Sequence, residues 1–168
     1  GALNTMPKPL IGRVNGQAYG GGIGLMSVCD VAVGATSARF GLTEVKLGLI
    51  PATISPYVVA RMGEGMARRV FMSARLFGAD EAVTLGLLAR SVAPEALDEA
   101  VEAEIRPYLK AAPEAVAASK ALARSLGPRI DDAVIEDTVR RLADTWETAS
   151  AAEGIAAFFE KRAPAWPT

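Results

Sequence analysis

The sequence predicts an α/β fold in which the second half is almost wholly helical. Three observations support this prediction. Short apolar runs broken by glycine fill residues 8–52, apolar residues recur at helical spacing from Pro56 onward, and 51% of the 168 residues are hydrophobic. A chain of this length is long enough to bury a core. We therefore divide the chain into a core, residues 1–92, and a helical region, residues 93–168.

The sequence pattern of the first half predicts two buried strands joined by a short helix. The runs Leu10–Val14 and Val31–Val33 are apolar and suit buried strands, and Ile23–Cys29 suits a short buried helix behind three glycines. Strand, helix and strand in this order are typical of a parallel crossover.

The middle of the chain predicts two helices. Asp80 is placed to cap a short helix that Gly86 ends. An amphipathic stripe with apolar residues four apart then runs over Pro94–Leu109, where Pro107 shortens or kinks the helix.

Three more helices follow. The first is predicted over Ala112–Leu126, with Gly127 past its end. The second starts at Asp131 and Asp132, and Ser150–Glu153 has the pattern of a capping box for the last one.

Charge and residue types exclude several functions. The 18 basic and 19 acidic residues leave no basic excess for nucleic acid or an anionic membrane, and no apolar run is long enough to span a bilayer. The absence of histidine excludes Ser-His and Cys-His pairs and His-ligated metal sites. The one cysteine, Cys29, is either a packed thiol or a nucleophile. Because no disulfide is possible and no signal pattern is present from Gly1 onward, we expect a cytoplasmic protein. We also expect no metal.

The triple glycine Gly20–Gly22 is the first candidate for chemistry. A glycine turn that feeds a helix leaves backbone N–H groups open at the positive end of the helix, where an oxyanion can bind. The alternative is a tight turn that serves close packing alone. The run is neither a P-loop nor a complete dinucleotide-binding fingerprint.

Glu44 is the second candidate. It is a single acid in the mostly apolar segment from Phe40 to Pro51, and such surroundings raise the pKa of a carboxyl group toward the range of a general base. The alternative is an exposed turn residue or an ion-pair partner for Lys46.

Taken together, these segments resemble the crotonase family, the enoyl-CoA hydratase/isomerase superfamily. The matching segments occur in family order over nearly the whole chain: Lys8–Ile11, Asn15–Gly22, Cys29–Asp30, Ala38–Gly41, Glu44–Pro51, Ala79–Leu87 and Glu153–Arg162. The family's N-terminal segment is absent from this sequence. The resemblance implies the last part of a crotonase-like ββα spiral core, followed by the helical region.

The resemblance also implies an acyl-CoA thioester as substrate, with CoA as part of it and no separate cofactor. The backbone N–H of Gly21 would hold the thioester oxygen as it becomes an enolate, and Glu44 would act as acid and base. A second N–H comes from an earlier loop that this sequence does not contain. Many hydratases of the family carry another glutamate at the position of Gly24, so hydration with two carboxylates is in doubt here.

Further contacts with the substrate are implied at two places. Ala18, Gly20 and Gly22 belong to the glycine motif, and Pro51 ends the segment that carries Glu44. Phe158 and Lys161 match residues near the adenine end of CoA; the alternatives are a core anchor and a solvated charge.

Two classes of function stay open. The first is an enzyme, a hydratase or an isomerase, whose sequence after Pro51 is similar to methylglutaconyl-CoA hydratase-like members that act in leucine breakdown. The second is a non-catalytic acyl-CoA-binding or assembly module. The family forms trimers or dimers of trimers, and we expect the same here, because the helical region offers more apolar surface than a small core covers.

Overall fold

Six short strands form two three-stranded sheets in the computed structural model, which describes residues 1–166. The strands are β1 Ile11–Val14, β2 Ala18–Tyr19, β3 Val31–Ala35, β4 Arg39–Gly41, β5 Phe77–Gly78 and β6 Arg90–Val92. The helices are α1 Ala2–Thr5, α2 Gly21–Ser27, α3 Ser55–Phe71, α4 Ala79–Thr84, α5 Leu97–Ile105, α6 Pro113–Ser125, α7 Asp132–Trp146 and α8 Ala149–Glu160.

The first sheet is parallel and has the order β1-β3-β6. Ile11 lies opposite Val31, so the predicted crossover from one apolar run to the next is confirmed. In the second sheet β4 lies between β2, which is parallel to it, and β5, which is antiparallel. This second sheet matters for the site, because the glycine turn follows β2 and Glu44 follows β4.

The main core lies among the second sheet, α2, α3 and α4. Its largest fully buried side chains include Ile23, Phe40 and Val58, and the rings of Phe40 and Phe77 are 5.8 Å apart. Cys29 belongs to this core, where burial raises the pKa of its thiol. Burial therefore favours the packed-thiol alternative over a nucleophile.

The helical second half contacts the core unevenly. Leu97 and Ala100 of α5 pack on Val33 and Ala35 of β3. None of the residues of α6 or α7 is buried. The Lys120 ammonium group joins α6 to the core by an ion pair of 2.7 Å with the carboxylate of Asp30. The division at residue 92 stays a prediction.

Two predicted helix caps are wrong. Gly78, not Asp80, precedes α4, and the carboxylate of Asp80 accepts a hydrogen bond of 2.8 Å from the Ser91 hydroxyl. α8 begins before Ser150, because the hydroxyl of Thr148 already accepts a hydrogen bond from the Ala151 N–H. In both cases a residue just upstream has the extended backbone that a cap needs.

Three other helix ends follow the prediction. α5 ends at Ile105, two residues before Pro107. α6 has Pro113 as its first residue, and the side chain of Asp131 caps α7 by accepting from the Val134 N–H.

Residues 1–166 contain neither a membrane-spanning helix nor a cluster of metal ligands. No helix there combines the length and the apolarity needed to cross a membrane. No group of three or more histidine, cysteine, aspartate or glutamate side chains in the same range is arranged to hold a metal ion. The expected absence of metal and membrane contacts stays a prediction.

Candidate active site

The glycine turn is fixed at one end and open at the other. The N–H of Gly20 donates a 3.1 Å hydrogen bond to the carbonyl of Gly41, which ties the turn to β4. Gly20 has a φ of 45°, a conformation that glycine adopts without strain. α2 then begins at Gly21, whose N–H has no hydrogen-bond partner within residues 1–166. Gly21 is exposed, so this end of α2 is accessible to a ligand.

Glu44 lies directly beside this turn. β4 ends at Gly41, and Glu44 begins the short 3₁₀ helix Glu44–Leu47, which we call the acid turn. The Oε1 atom of Glu44 is 2.8 Å from the point where a Cβ atom on Gly20 would stand. The pairing of β2 with β4 therefore brings the two candidate features together, although they are more than twenty residues apart in the sequence.

The carboxyl group of Glu44 is partly removed from water and is not ion-paired. Its Oε2 atom is buried and has no hydrogen-bond partner within residues 1–166. Burial raises the pKa of Glu44 above its ordinary value of 4.5, and a hydrogen bond from its own backbone N–H opposes this only in part. Within residues 1–166 Glu44 forms no ion pair with Lys46, which is exposed, so the ion-pair alternative has no support. A carboxylate of this kind can take up and return a proton.

The raised pKa of Glu44 predicts a pH-dependent stability. Above the folded-state pKa, the carboxylate is ionised in both the folded and the unfolded protein, and its burial destabilises the folded protein. Below pH 4.5 the group is protonated in both, so burying it no longer costs free energy. We expect Glu44→Gln to have the higher free energy of unfolding at neutral pH, with the difference shrinking as the pH falls toward 4.5. Urea unfolding at several pH values measures this. A difference independent of pH would contradict the assignment.

Gly24 stands at the position where the family resemblance implies a second carboxylate, and an apolar side chain fills the space. A Cβ atom on Gly24 would be 2.4 Å from Cγ2 and 2.9 Å from Cβ of Ile54. Gly24 is buried in α2, and Ile54 immediately precedes α3. Sequence reasoning noted the missing glutamate but did not find Ile54, because nothing in the sequence links the two positions.

An apolar groove of about 360 Å³ runs along the same face of α2. Gly21, Gly24, Leu25, Ile54 and Tyr57 are among the residues that line it. It places apolar surface next to the open N–H of Gly21, where an acyl chain could lie.

The other predicted substrate contacts lie in three different places. Ala18 and Gly22 belong to the turn, where the Cβ of Ala18 is 3.1 Å from the point where a Cβ on Gly22 would stand. Pro51 is buried and lines a separate pocket of about 300 Å³. Phe158 and Lys161 lie at the exposed end of α8, and neither lines the groove beside Gly21. The roles of all these residues stay predictions.

Comparison with known proteins identifies the family. The whole chain, residues 1–168, matches the family described as Enoyl-CoA hydratase/isomerase. A Thermus thermophilus protein provisionally named as an enoyl-CoA hydratase is 41% identical over 164 residues, which are 95% of this chain and 63% of that protein. The crotonyl-CoA hydratase of Syntrophomonas wolfei is 36% identical over 162 residues, 95% of this chain and 62% of the relative.

Solved structures agree with this result. An enoyl-CoA hydratase from Mycobacterium avium superposes with a TM-score of 0.86 at 30% identity, over 99% of this chain and 65% of that one. An enoyl-CoA hydratase/isomerase from Pseudoalteromonas atlantica gives a TM-score of 0.86 at 28% identity, over 99% and 67%.

The chain belongs to the enoyl-CoA hydratase/isomerase family, and the predicted crotonase-like α/β fold is confirmed. It spans less than two thirds of the length of the curated relatives described above.

Proposed function

We propose that the protein is an enoyl-CoA hydratase that adds water to a 2-enoyl-CoA thioester, with Glu44 as its acid and base. The observation that carries the proposal is the contact between the Glu44 carboxylate and the Gly20 turn, with one carboxylate oxygen buried and unpartnered. A buried acceptor without a donor is costly for a folded chain, and such groups are common where a site is built to move protons.

The chemistry follows from these two groups. Water attacks C3 of the enoyl group while the Glu44 carboxylate takes one of its protons. The electron pair of the double bond moves onto the thioester oxygen, and the N–H of Gly21 stabilises the charge that develops there. The Glu44 carboxylic acid then returns the proton to C2, and the carbonyl re-forms. One carboxyl group thus serves both proton transfers.

Isomerisation is the second candidate, and Ile54 favours it. Because Ile54 fills the space beside Gly24, no second carboxylate is available at that position to orient water. A single base is sufficient to move a proton between two carbons of the acyl chain. In this reaction Glu44 removes a proton from one carbon and returns it to another, with no water added.

Oligomerisation and cellular context belong to the same proposal. Large apolar side chains of the helical region are exposed, and a homotrimer or a dimer of trimers would cover them: Leu109, Leu122, Leu126, Val139, Trp146, Phe158 and Phe159. We propose a cytoplasmic enzyme of fatty acid or leucine breakdown, in which Phe158 and Lys161 contact the adenine end of CoA.

Product analysis of the full-length gene product tests these alternatives. The protein is incubated separately with crotonyl-CoA, methylglutaconyl-CoA and a 3-enoyl-CoA, and the thioesters are then analysed by mass spectrometry and by the absorbance of the conjugated double bond. A hydratase gives a product heavier by one water. An isomerase gives a product of unchanged mass in which the double bond has moved. Butyryl-CoA, which has no double bond, is the control.

Binding of these thioesters without any change in them would contradict the enzyme proposal. That result would favour the acyl-CoA-binding module, which needs the groove and the Gly21 donor but has no use for the unpartnered carboxylate of Glu44.

A further inference from the structure

The acid turn is in direct backbone contact with α8, the last helix. A Cβ atom on Gly154 would stand 2.5 Å from the carbonyl carbon and 2.6 Å from the carbonyl oxygen of Leu47. A Cβ atom on Gly48 would stand 2.3 Å from the carbonyl oxygen of Ser150. Real Cβ atoms essentially never approach other atoms this closely, so only glycine fits at either position. The two glycines let a helix from the far end of the chain lie against the turn that carries Glu44.

The contact bears on the backbone of Glu44 itself. The N–H of Gly48 donates to the carbonyl of Val45, and the N–H of Leu49 donates to the carbonyl of Glu44 at 3.1 Å. Gly48 has a φ of 69°, which turns the chain back over the acid turn. Because these bonds close the turn, a displacement of Leu47 is transmitted to Glu44.

α8 is firmly seated on this surface. Ala151 and Ala157 are 0% and 1% exposed, and Gly154 lies between them on the same face. The guanidinium group of Arg162 pairs with the carboxylate of Glu153 at 2.5 Å, which fixes the C-terminal end of the helix to its middle. A glycine inside a helix costs roughly 1 kcal/mol relative to alanine, so its presence at position 154 fits a packing requirement.

We propose that Gly154 is a positioning residue for Glu44, and that α8 sets the distance between the Glu44 carboxylate and the Gly20 turn. The carboxylate oxygen lies 2.8 Å from the point where a Cβ on Gly20 would stand, so it occupies space that is free only because residue 20 is glycine. A methyl group at position 154 displaces Leu47 by about 1 Å, and a misplacement of that size can cost about a hundredfold in rate. This inference rests on the proposed role of Glu44.

Gly154→Ala in the full-length protein tests the inference. We expect kcat to fall by about 10- to 100-fold, while KM changes little because neither Gly154 nor Leu47 lines the groove beside Gly21. Gly65→Ala is the matched control, since a Cβ atom there meets nothing within 4 Å, and it should leave kcat unchanged.

A double-mutant cycle with Glu44→Gln separates positioning from a general loss of structure. If Gly154 acts through Glu44, Gly154→Ala lowers kcat in the parent protein and has little further effect in Glu44→Gln. An equal loss in both backgrounds, or no loss in either, would overturn the inference. Full activity of Glu44→Gln itself would instead defeat the proposed function.

Ala151→Gly supplies a second perturbation of the same surface. It removes a buried methyl group from α8 and adds no clash, and we expect it too to lower kcat only when Glu44 is present. Failure of both variants to fold would assign α8 a structural role alone and would also overturn the inference.

Discussion

Glu44→Gln is expected to lower turnover by roughly two to four orders of magnitude, the contribution typical of general acid–base catalysis. Glutamine keeps the size of the side chain and its place beside Gly20, but it can neither accept nor return the proton. KM is expected to change little, because the groove beside Gly21 is formed by other residues. The measurement is kcat for crotonyl-CoA with the full-length protein.

The same substitution at Glu64 is the control. Glu64 is an exposed residue of α3, and its carboxylate pairs with Arg68 at 3.6 Å. It therefore lacks the buried, unpartnered oxygen that Glu44 has. Glu64→Gln should retain parental turnover. If Glu44→Gln also retains it, Glu44 has no part in the mechanism, and the contact with the glycine turn is a matter of packing only.

Measuring the stability of Glu44→Gln together with its turnover distinguishes a loss of chemistry from a loss of structure. The variant that loses turnover is expected to be the more stable one at neutral pH, because it removes a buried carboxylate. A loss of activity through misfolding would lower stability instead. Opposite signs for the two effects would therefore indicate a group kept for chemistry at a cost to the fold.

The elements with strong local signals could be predicted from the sequence. The parallel pair β1 and β3 comes from two apolar runs separated by a short helix, and α6 and α7 begin at Pro113 and after Asp131 as predicted. The predicted caps of α4 and α8 were wrong, because several residues near each helix start could serve as the cap. Asp80, for example, accepts a hydrogen bond from Ser91 instead.

The site itself depends on contacts that no local pattern encodes. β2 has two residues and β4 has three, too few for a period, yet their pairing brings Glu44 to Gly20. The two candidates were found by residue type and by family resemblance, not by predicted proximity. The sequence did contain a weaker indication that the last helix packs closely against another element. Gly154 stands inside a run of good helix formers, where a glycine usually has a packing reason.

Gly24→Glu is expected to lower the free energy of unfolding by about 3 kcal/mol or more. Its Cβ atom would stand 2.4 Å from Ile54 Cγ2, and the new carboxylate would enter an apolar, buried position. Urea unfolding measures the loss. Gly16→Ala is a control for added side-chain volume, since nothing lies within 4 Å of a Cβ atom there.

Ile54→Ala should rescue Gly24→Glu in part, because it removes Cγ2, the atom that the new side chain meets most closely, while the Cβ of residue 54 at 2.9 Å remains. We expect a favourable coupling of about 1–3 kcal/mol between the two changes in a double-mutant cycle. The rescued protein has room for two carboxylates, so its hydration rate should exceed that of Ile54→Ala alone. Additive losses of stability would show that Ile54 is not what keeps position 24 a glycine. Rescued folding without faster hydration would instead place the new carboxylate away from the water that attacks C3.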